Sequence, residues 1–247
     1  MEQKRMYYEF APYWTLISAP EDYAEEAVFW RNAITSKLGN GRHEILELGV
    51  GGGNNLSHLT PYFKATAVDL SEPMLKNSKI LNPGVEHYVG DMRNVRLEKK
   101  FDAVIIHDAI SYLLAEDDLA ATFETAKIHL NDDGVFITSP DYFKESFTGS
   151  TVRHSHRQKD GVELVHVEYS YDPNPEDTIM ETRMIYIIRE NNNCRIEHDL
   201  HITGLFPLKT WIDTMIKAGF NVEKRKYPVH EDKRQSYLLV GTLNNHS

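Results

Sequence analysis

Between residues 43 and 139 short apolar, β-branched runs alternate with longer stretches of helical period. The pattern predicts strands at 44–48, 65–69, 85–89, 101–106 and 135–139, with helices at 55–61, 73–81 and 117–130 between them. Strands separated by helices need crossover connections, so the expected sheet is parallel with right-handed crossovers. The runs 44–48 and 101–106 look covered on both faces, as central parallel strands are. Local signals agree. Ser71 stands before Glu72-Pro73 as an N-cap ahead of a first-turn proline, and Asn131-Asp132-Asp133-Gly134 reads as a turn stopping the long helix.

The rhythm changes after residue 160. Runs 162–171, 179–189 and 194–203 read as strands with no helix between them, joined by Asp172-Pro173-Asn174-Pro175 and Glu190-Asn191-Asn192-Asn193. Such turn-rich links make an antiparallel meander inserted into the α/β pattern. The α/β rhythm resumes with a helix at 208–218, stopped by Gly219, and two strands at 221–226 and 237–243. The first forty residues read as helices, Pro20-Glu21-Asp22 opening the stretch 23–38.

Composition narrows the partners. The chain has 247 residues, enough for one large domain, and 27 Lys+Arg against 37 Asp+Glu give a net charge of −10. Nucleic-acid affinity comes mainly from cations neutralising phosphates, so no DNA or RNA partner is expected. Apolar runs such as Ala103-Val104-Ile105-Ile106 are strand-sized, which predicts no membrane span. Met1-Glu2-Gln3-Lys4-Arg5 leads into aromatic residues instead of an apolar signal core, and the expected location is cytoplasmic. The single cysteine, Cys194, excludes an internal disulfide and a multi-cysteine zinc site.

The first chemical motif is Glu47-Leu48-Gly49-Val50-Gly51-Gly52-Gly53-Asn54, which follows a strand and opens a helix. Glycines let the backbone turn tightly beside a ligand, and the helix start offers free N–H groups. Asp69 ends the next strand, where a carboxylate accepts bonds from ribose hydroxyls. Asn54 stands where Gly-x-Gly-x-x-Gly needs its third glycine, so the dinucleotide fingerprint is broken. Glu47 suits a ligand carrying an amine, and Gly90-Asp91-Met92 offers an acid for a base and a thioether to cover its face.

Four segments together resemble the class I S-adenosylmethionine-dependent methyltransferases: residues 46–54, Val68-Asp69-Leu70-Ser71-Glu72-Pro73-Met74-Leu75, Gly90-Asp91-Met92-Arg93 and Phe101-Asp102-Ala103-Val104-Ile105-Ile106. The resemblance implies a doubly wound, Rossmann-like α/β fold of seven mostly parallel strands, one antiparallel near the end. It divides the chain into an N-terminal helical cap (1–42), a core (43–141 and 205–247) and an antiparallel substrate lid (142–204). It implies S-adenosylmethionine as cofactor and S-adenosylhomocysteine as product. Gly49, Gly51 and Gly53 would take the methionine and ribose portions, Asp69 the ribose hydroxyls, Asp91 the adenine amine, Met92 the ring face and Glu47 the amino end; Asn54, Leu70, Met74 and His107 complete the cofactor set.

A narrower resemblance, to small-molecule N-methyltransferases acting on nucleotide-linked amino sugars, rests on Glu21-Asp22-Tyr23-Ala24-Glu25-Glu26-Ala27, Gly90-Asp91-Met92-Arg93-Asn94 and His201-Ile202-Thr203-Gly204-Leu205-Phe206. It implies in-line transfer of a methyl group to an amine of a small molecule. An NAD-type oxidoreductase is disfavoured by Asn54; a non-catalytic S-adenosylmethionine-binding protein, and a monomer or a homodimer, stay open.

The acceptor should lie beyond the fourth strand, at His107-Asp108-Ala109-Ile110-Ser111-Tyr112. His107 or Asp108 would take a proton or anchor an ammonium; otherwise His107 lines the cofactor and Asp108 caps the next helix. Among the aromatics Tyr7, Tyr8, Phe10, Tyr13 and Trp14, the candidates for facing the sulfonium are Tyr13 and Tyr7, against simple packing. Arg153-His154-Ser155-His156-Arg157, with His166 and His198, reads as a solvated loop in which Arg153 and Arg157 would grip an anion; no metal is expected. Tyr7, Tyr112, Arg153, His201 and Arg234 are the expected acceptor contacts.

Overall fold

The computed structural model describes residues 4–229 and 234–243. The sequence readings that fall on residues 1–3, 230–233 and 244–247, including Met1-Glu2-Gln3 and the outer bounds of the cap and core, lie outside the described residues.

The first half is the expected alternation: β1 (Glu44–Leu48), α3 (Asn54–Leu59), β2 (Lys64–Asp69), α4 (Glu72–Leu81), β3 (Glu86–Val89), β4 (Phe101–Ile106), α5 (Glu116–Ile128) and β5 (Leu130–Thr138). It is preceded by α1 (Trp14–Ile17), α2 (Ala24–Leu38) and three 3-10 turns (Arg5–Tyr7, Ala11–Tyr13, Pro20–Tyr23), so the entry segment is helical but broken. After β5 come β6 (Ser150–Lys159), β7 (Val162–Tyr171), β8 (Ile179–Glu190), β9 (Asn193–Gly204), α6 (Leu208–Lys217), β10 (Phe220–Lys226) and β11 (Tyr237–Leu243). Seven strands form one sheet in the order β10-β11-β5-β4-β1-β2-β3, and β6–β9 form a second, antiparallel sheet. In the large sheet β11 runs antiparallel to both β5 and β10, while β1 pairs in parallel with β2 and β4. The fold is therefore the doubly wound α/β architecture expected, with one reversed strand.

The large sheet is covered on both faces, and its strands divide their side chains between two cores. Successive residues on a strand point to opposite sides. Leu46, Leu48, Val104 and Ile106 pack with Phe136 and Trp211 on one face, while Ile45, Ala103 and Ile105 pack with Trp30 and Ile34 of α2 on the other. That two-sided burial explains why β1 and β4 read as unbroken apolar runs. Ser71 caps α4 as expected, its hydroxyl accepting from the Met74 N–H at 3.3 Å.

Two readings need correction. Residues 131–134 do not form a turn closing the long helix. The register jumps from Phe101 opposite Leu130 to Ala103 opposite Val135, so these residues are extra length carried as a bulge at the start of β5. The segment 150–159 is a strand, not a loop. It is the outer strand of the second sheet and is exposed along most of its length, so it lacks the apolar alternation that marks a half-buried strand. Its turn to β7 has Asp160 and Gly161 at φ +50° and +81°, and the β8–β9 turn has Asn191 and Asn192 at +51° and +62°. Paired positive φ values match the right-handed twist of a two-residue hairpin.

The entry segment joins the two sheets. Met6, Phe10, Leu16 and Ile17 pack against Leu164, Tyr186 and Ile188 of the second sheet. Its backbone is tied to the core by Ser71, whose hydroxyl donates to the Tyr7 carbonyl at 2.5 Å, and by Asn77, which donates to the Ala11 carbonyl at 2.8 Å. Among the described residues no helix is long and apolar enough to cross a membrane.

Candidate functional site

A cavity of about 460 Å³ opens at the carboxyl ends of β1, β2 and β4, beneath the inner face of the second sheet and the entry segment. Ligands of open α/β sheets bind at this end.

One half is built from the backbone between β1 and α3. Gly49, Gly51 and Gly53 all hold positive φ (+75°, +56°, +80°), a conformation that side chains rarely adopt. A Cβ at Gly49 would fall 2.4 Å from that of Ala109, and one at Gly52 would fall 2.0 Å from Nε1 of Trp14. The Gly51 N–H donates to Oδ2 of Asp69 at 2.7 Å and the Ser71 N–H to Oδ1 at 2.8 Å, which aims the Asp69 carboxylate along the cavity floor. Burial raises the Asp69 pKa, and these backbone donors restrain the rise.

Glu47 is 2% exposed, its Oε2 has no hydrogen-bond partner, and burial pushes its pKa up to about 8. A buried carboxylate oxygen without a donor marks a place for one. A glycine cradle, a strand-end acid and a lone carboxylate oxygen fit a nucleoside that carries an amino group. Asp91 and Met92 line the same half, but Asp91 already has a partner. Arg93 holds its carboxylate (Nη2 to Oδ2, 2.7 Å), keeping its pKa below the usual range, and reaches on to Asp118 at 2.9 Å. Asn54 and Leu70 also line the cavity, and Asn54 donates to the Ser18 carbonyl at 3.1 Å, closing the entry segment over the loop.

Two expected cofactor residues stand one layer back. Met74 is fully buried beneath Gly51, and Gly53 caps α3 with its carbonyl accepting from Asn82 Nδ2 at 3.0 Å. They shape the cradle from below because α4 packs its apolar face under the loop.

The other half is made of side chains from distant segments. His107 lines it, but both ring nitrogens are engaged, Nε2 with Glu26 at 2.8 Å and Nδ1 with Asp108 at 3.1 Å. Burial disfavours its charged form, yet the two carboxylates more than offset this and hold its pKa well above the ordinary histidine range. His107 is thus a charged clasp between α2 and the turn after β4, with no lone pair for a substrate proton. The Tyr227 hydroxyl, which accepts from Trp30 Nε1 at 3.0 Å, donates to the same Glu26 at 2.9 Å.

Tyr13 is outside the cavity. Its hydroxyl donates to Glu190 at 3.1 Å and accepts from Arg195 at 2.8 Å, because the Ala11–Tyr13 turn points it at the β8–β9 hairpin. Trp14 and Tyr7 face inward instead. Arg157 is committed to Asp22 at 2.6 Å and the Ile17 carbonyl at 2.8 Å, so it does not share an anion with Arg153. Arg153 lines the cavity and donates to the Tyr142 hydroxyl at 3.2 Å; Arg234 lies behind it, over the Tyr142 ring at 4.1 Å and donating to the Asp141 carbonyl at 3.0 Å.

Tyr7, Tyr112 and His201 do meet. The tyrosine hydroxyls are 2.7 Å apart, the Tyr112 hydroxyl lies 2.5 Å from His201 Nδ1, and His201 Nε2 lies 3.0 Å from Asp199 Oδ2. Two lining acids, Asp141 and Glu168, and a third behind His201, Asp199, received no role in the sequence reading. Asp141 follows β5 at the sheet's carboxyl end, the same signal that located His107 one strand earlier. Burial and the nearby Asp108 push its pKa up to about 7, with Arg153 and Arg234 restraining the rise. Among the described residues no three His, Cys, Asp or Glu side chains gather as a metal site.

Residues 45–134 match the family described as a methyltransferase domain. The chain is 29% identical over 205 residues, 82% of its length and 85% of the relative's, to dTDP-3-amino-3,4,6-trideoxy-alpha-D-glucopyranose N,N-dimethyltransferase of Streptomyces venezuelae. The crystal structure of Streptomyces venezuelae DesVI superposes with a TM-score of 0.80 at 26% identity, covering 90% of this chain and 92% of the other. S-adenosylmethionine-bound CalS10 of Micromonospora echinaspora, an amino pentose methyltransferase, shares the fold with a TM-score of 0.77 at 20% identity, over 90% and 92% of the two chains. Cradle, fold and relatives agree on an S-adenosylmethionine-dependent methyltransferase.

Proposed function

We propose that this chain methylates the amino nitrogen of a nucleotide-linked amino deoxy sugar, with the second sheet as substrate lid. The observation that carries the reading is one cavity with two unlike halves: a cradle for an amine-bearing nucleoside, and an opposite wall that sets Asp108, Asp141 and Glu168 toward an incoming cation. The relatives' names supply the sugar class. Arg153, beside Tyr142 at the cavity rim, suits the phosphates of a nucleotide handle. The net charge of −10 supports a small-molecule acceptor over nucleic acid, and the reading extends to a cytoplasmic monomer or homodimer without a membrane partner.

When bound, S-adenosylmethionine supplies a methyl group already activated on a sulfonium. The protein's work is then positional. Gly49, Gly51, Asp69 and Glu47 would hold the nucleoside and its amino end, while Asp91 and Met92 border the base. Displacement needs the nucleophile in line at about 3–3.5 Å, and the carboxylates of the opposite wall draw the ammonium to that place. The amine must shed a proton first, since an unperturbed amine is mostly protonated at neutral pH. Alternate residues of the lid, Ser170, Thr182 and Met184, close the cavity from above and exclude water.

The test is a labelled-methyl assay with dTDP-3-amino-3,6-dideoxy-alpha-D-glucopyranose and related amino sugars. N-methylated product, in one or two steps, is expected. Methylation of oxygen or carbon only, or of amines lacking a nucleotide handle at equal kcat/KM, would remove the reading.

A further inference from the structure

Tyr7, Tyr112 and the pair His201 and Asp199 come from three segments far apart in sequence, yet they form one continuous line of hydrogen bonds from the cavity wall to a largely buried carboxylate. The line has a direction. Asp199 also accepts from the Met6 N–H at 3.0 Å. An ionised carboxylate only accepts, so the hydrogen between Asp199 and His201 belongs to Nε2. A neutral imidazole has one donor and one acceptor, so Nδ1 accepts, and at 2.5 Å its donor is the Tyr112 hydroxyl. Tyr112 has then used its only hydrogen, and the 2.7 Å contact with Tyr7 must be donated by Tyr7. What remains on the Tyr7 oxygen, in a cavity meant for a cation, is a lone pair.

We infer that this fixed polarity makes Tyr7 the residue that accepts the proton of the acceptor ammonium, and His201 the place where that proton comes to rest. The inference rests on the amine-acceptor reading above. In the step an N–H bond of the ammonium breaks and its electron pair stays on nitrogen, which becomes the nucleophile. The proton joins the Tyr7 oxygen as the Tyr7 hydrogen passes to Tyr112 and the Tyr112 hydrogen to Nδ1 of His201. The result is two unchanged hydroxyls and one imidazolium beside Asp199. That proton goes to solvent when the lid opens.

The surroundings fit a conduit. Burial holds the two tyrosines far above the ordinary phenol range, helped by Tyr112 at Tyr7 and by Asp141 and Glu168 at Tyr112, so they hand a proton on instead of ionising. Burial would raise the Asp199 pKa, but hydrogen bonds from His201 and Met6 more than offset it and keep the carboxylate charged to receive an imidazolium. The other ionisable groups bearing on the line are Lys4, Arg5 and Glu9 of the entry segment, Asp69 at the end of β2, Asp141 after β5, His166 and Glu168 of β7 and Tyr186 of β8. His201 is a positioning residue in this scheme, since it acts through Tyr112 and Tyr7.

Two measurements test it. In the free wild-type protein, nitrogen NMR of labelled histidine should show His201 near pH 8 with hydrogen on Nε2 and a bare Nδ1; hydrogen on Nδ1 with a bare Nε2 reverses the line and overturns the inference. With the dTDP-amino sugar above, Tyr7→Phe and His201→Gln should lower kcat about 100-fold at pH 7, with KM changed less than about threefold. Their rate should climb about tenfold per pH unit, as free amine becomes available, and approach wild type near pH 9. An unchanged profile in Tyr7→Phe, which removes a single oxygen and leaves the fold intact, overturns it; so does loss of the acid limb in Asp141→Asn instead. Absence of turnover by wild type on every amino sugar defeats the acceptor reading, while the nitrogen spectrum still decides the direction of the line.

Discussion

The two halves of the cavity are built on different principles. The half proposed for the cofactor is backbone: glycines with positive φ, Gly53 one layer beneath the other two, and an acid at each of two strand ends, all within residues 47–91. The half proposed for the acceptor is side chain: a tyrosine from the entry segment, another from the turn after β4, a histidine and its carboxylate from β9, and an aspartate after β5. A backbone cradle tolerates no added atoms and little variation. A side-chain wall can be rewritten residue by residue on the same scaffold, which is how one fold serves many acceptors.

That contrast can be broken most sharply at Gly49. Gly49→Val places a Cβ 2.4 Å from Ala109 at a φ of +75°, so calorimetry should detect no S-adenosylhomocysteine binding. Overpacking should also lower stability by about 1–3 kcal/mol. Wild-type affinity in this variant would mean the cradle is not the nucleoside site. Asp69→Ala should weaken cofactor binding about 100-fold, two charge-assisted bonds to ribose being lost, with acceptor KM nearly unchanged. A larger effect on acceptor KM than on cofactor Kd would erase the division between halves.

Glu47 sharpens the comparison through pH. Its pKa is raised to about 8, so below pH 8 it is largely protonated before a cation arrives, and pairing with the cofactor's amino group requires the ionised form. Binding then releases a proton. Cofactor affinity should rise with pH by up to about tenfold per unit and level off near pH 8. Glu47→Gln should remove that slope; an unchanged slope would assign the proton elsewhere. Stability of the free protein runs the opposite way: a carboxyl whose pKa is raised on folding loses stability as pH rises from its unfolded value toward 8.

A smaller effect is expected at Asp108, which is half-exposed and pairs with His107. Asp108→Asn should cut turnover about tenfold while cofactor Kd stays within about twofold, as titration and steady-state kinetics will report. Equal turnover would leave the cation to Asp141 and Glu168. The least effect belongs to His156, an exposed residue of β6 paired with Glu163. His156→Ala should leave melting temperature and kcat/KM within error.

The sequence reading failed where the signal was not local. The strand at 150–159 was hidden because an exposed outer strand shows no apolar alternation. The bulge at 131–134 read as a turn because Asn, Asp and Gly favour both. Tyr13 and Tyr7 were equivalent on paper; one-turn geometry sent Tyr13 to Glu190 and Arg195 and left Tyr7 in the cavity. His107, offered as a proton acceptor or else as a cofactor-lining residue, lines the cavity with its second nitrogen held by Glu26, eighty-one positions away.

What the chain declares by itself is the core and the cradle. Two-sided apolar strands, helical spacing, left-handed glycines and strand-end acids are short-range properties, and each is written in fewer than ten consecutive residues. What only the packed molecule decides is the opposite wall. Whether a tyrosine donates or accepts, and whether a histidine is a clasp or a proton store, depends on partners 81 to 105 positions distant, brought within 3 Å by the docking of the entry helices and second sheet onto the core.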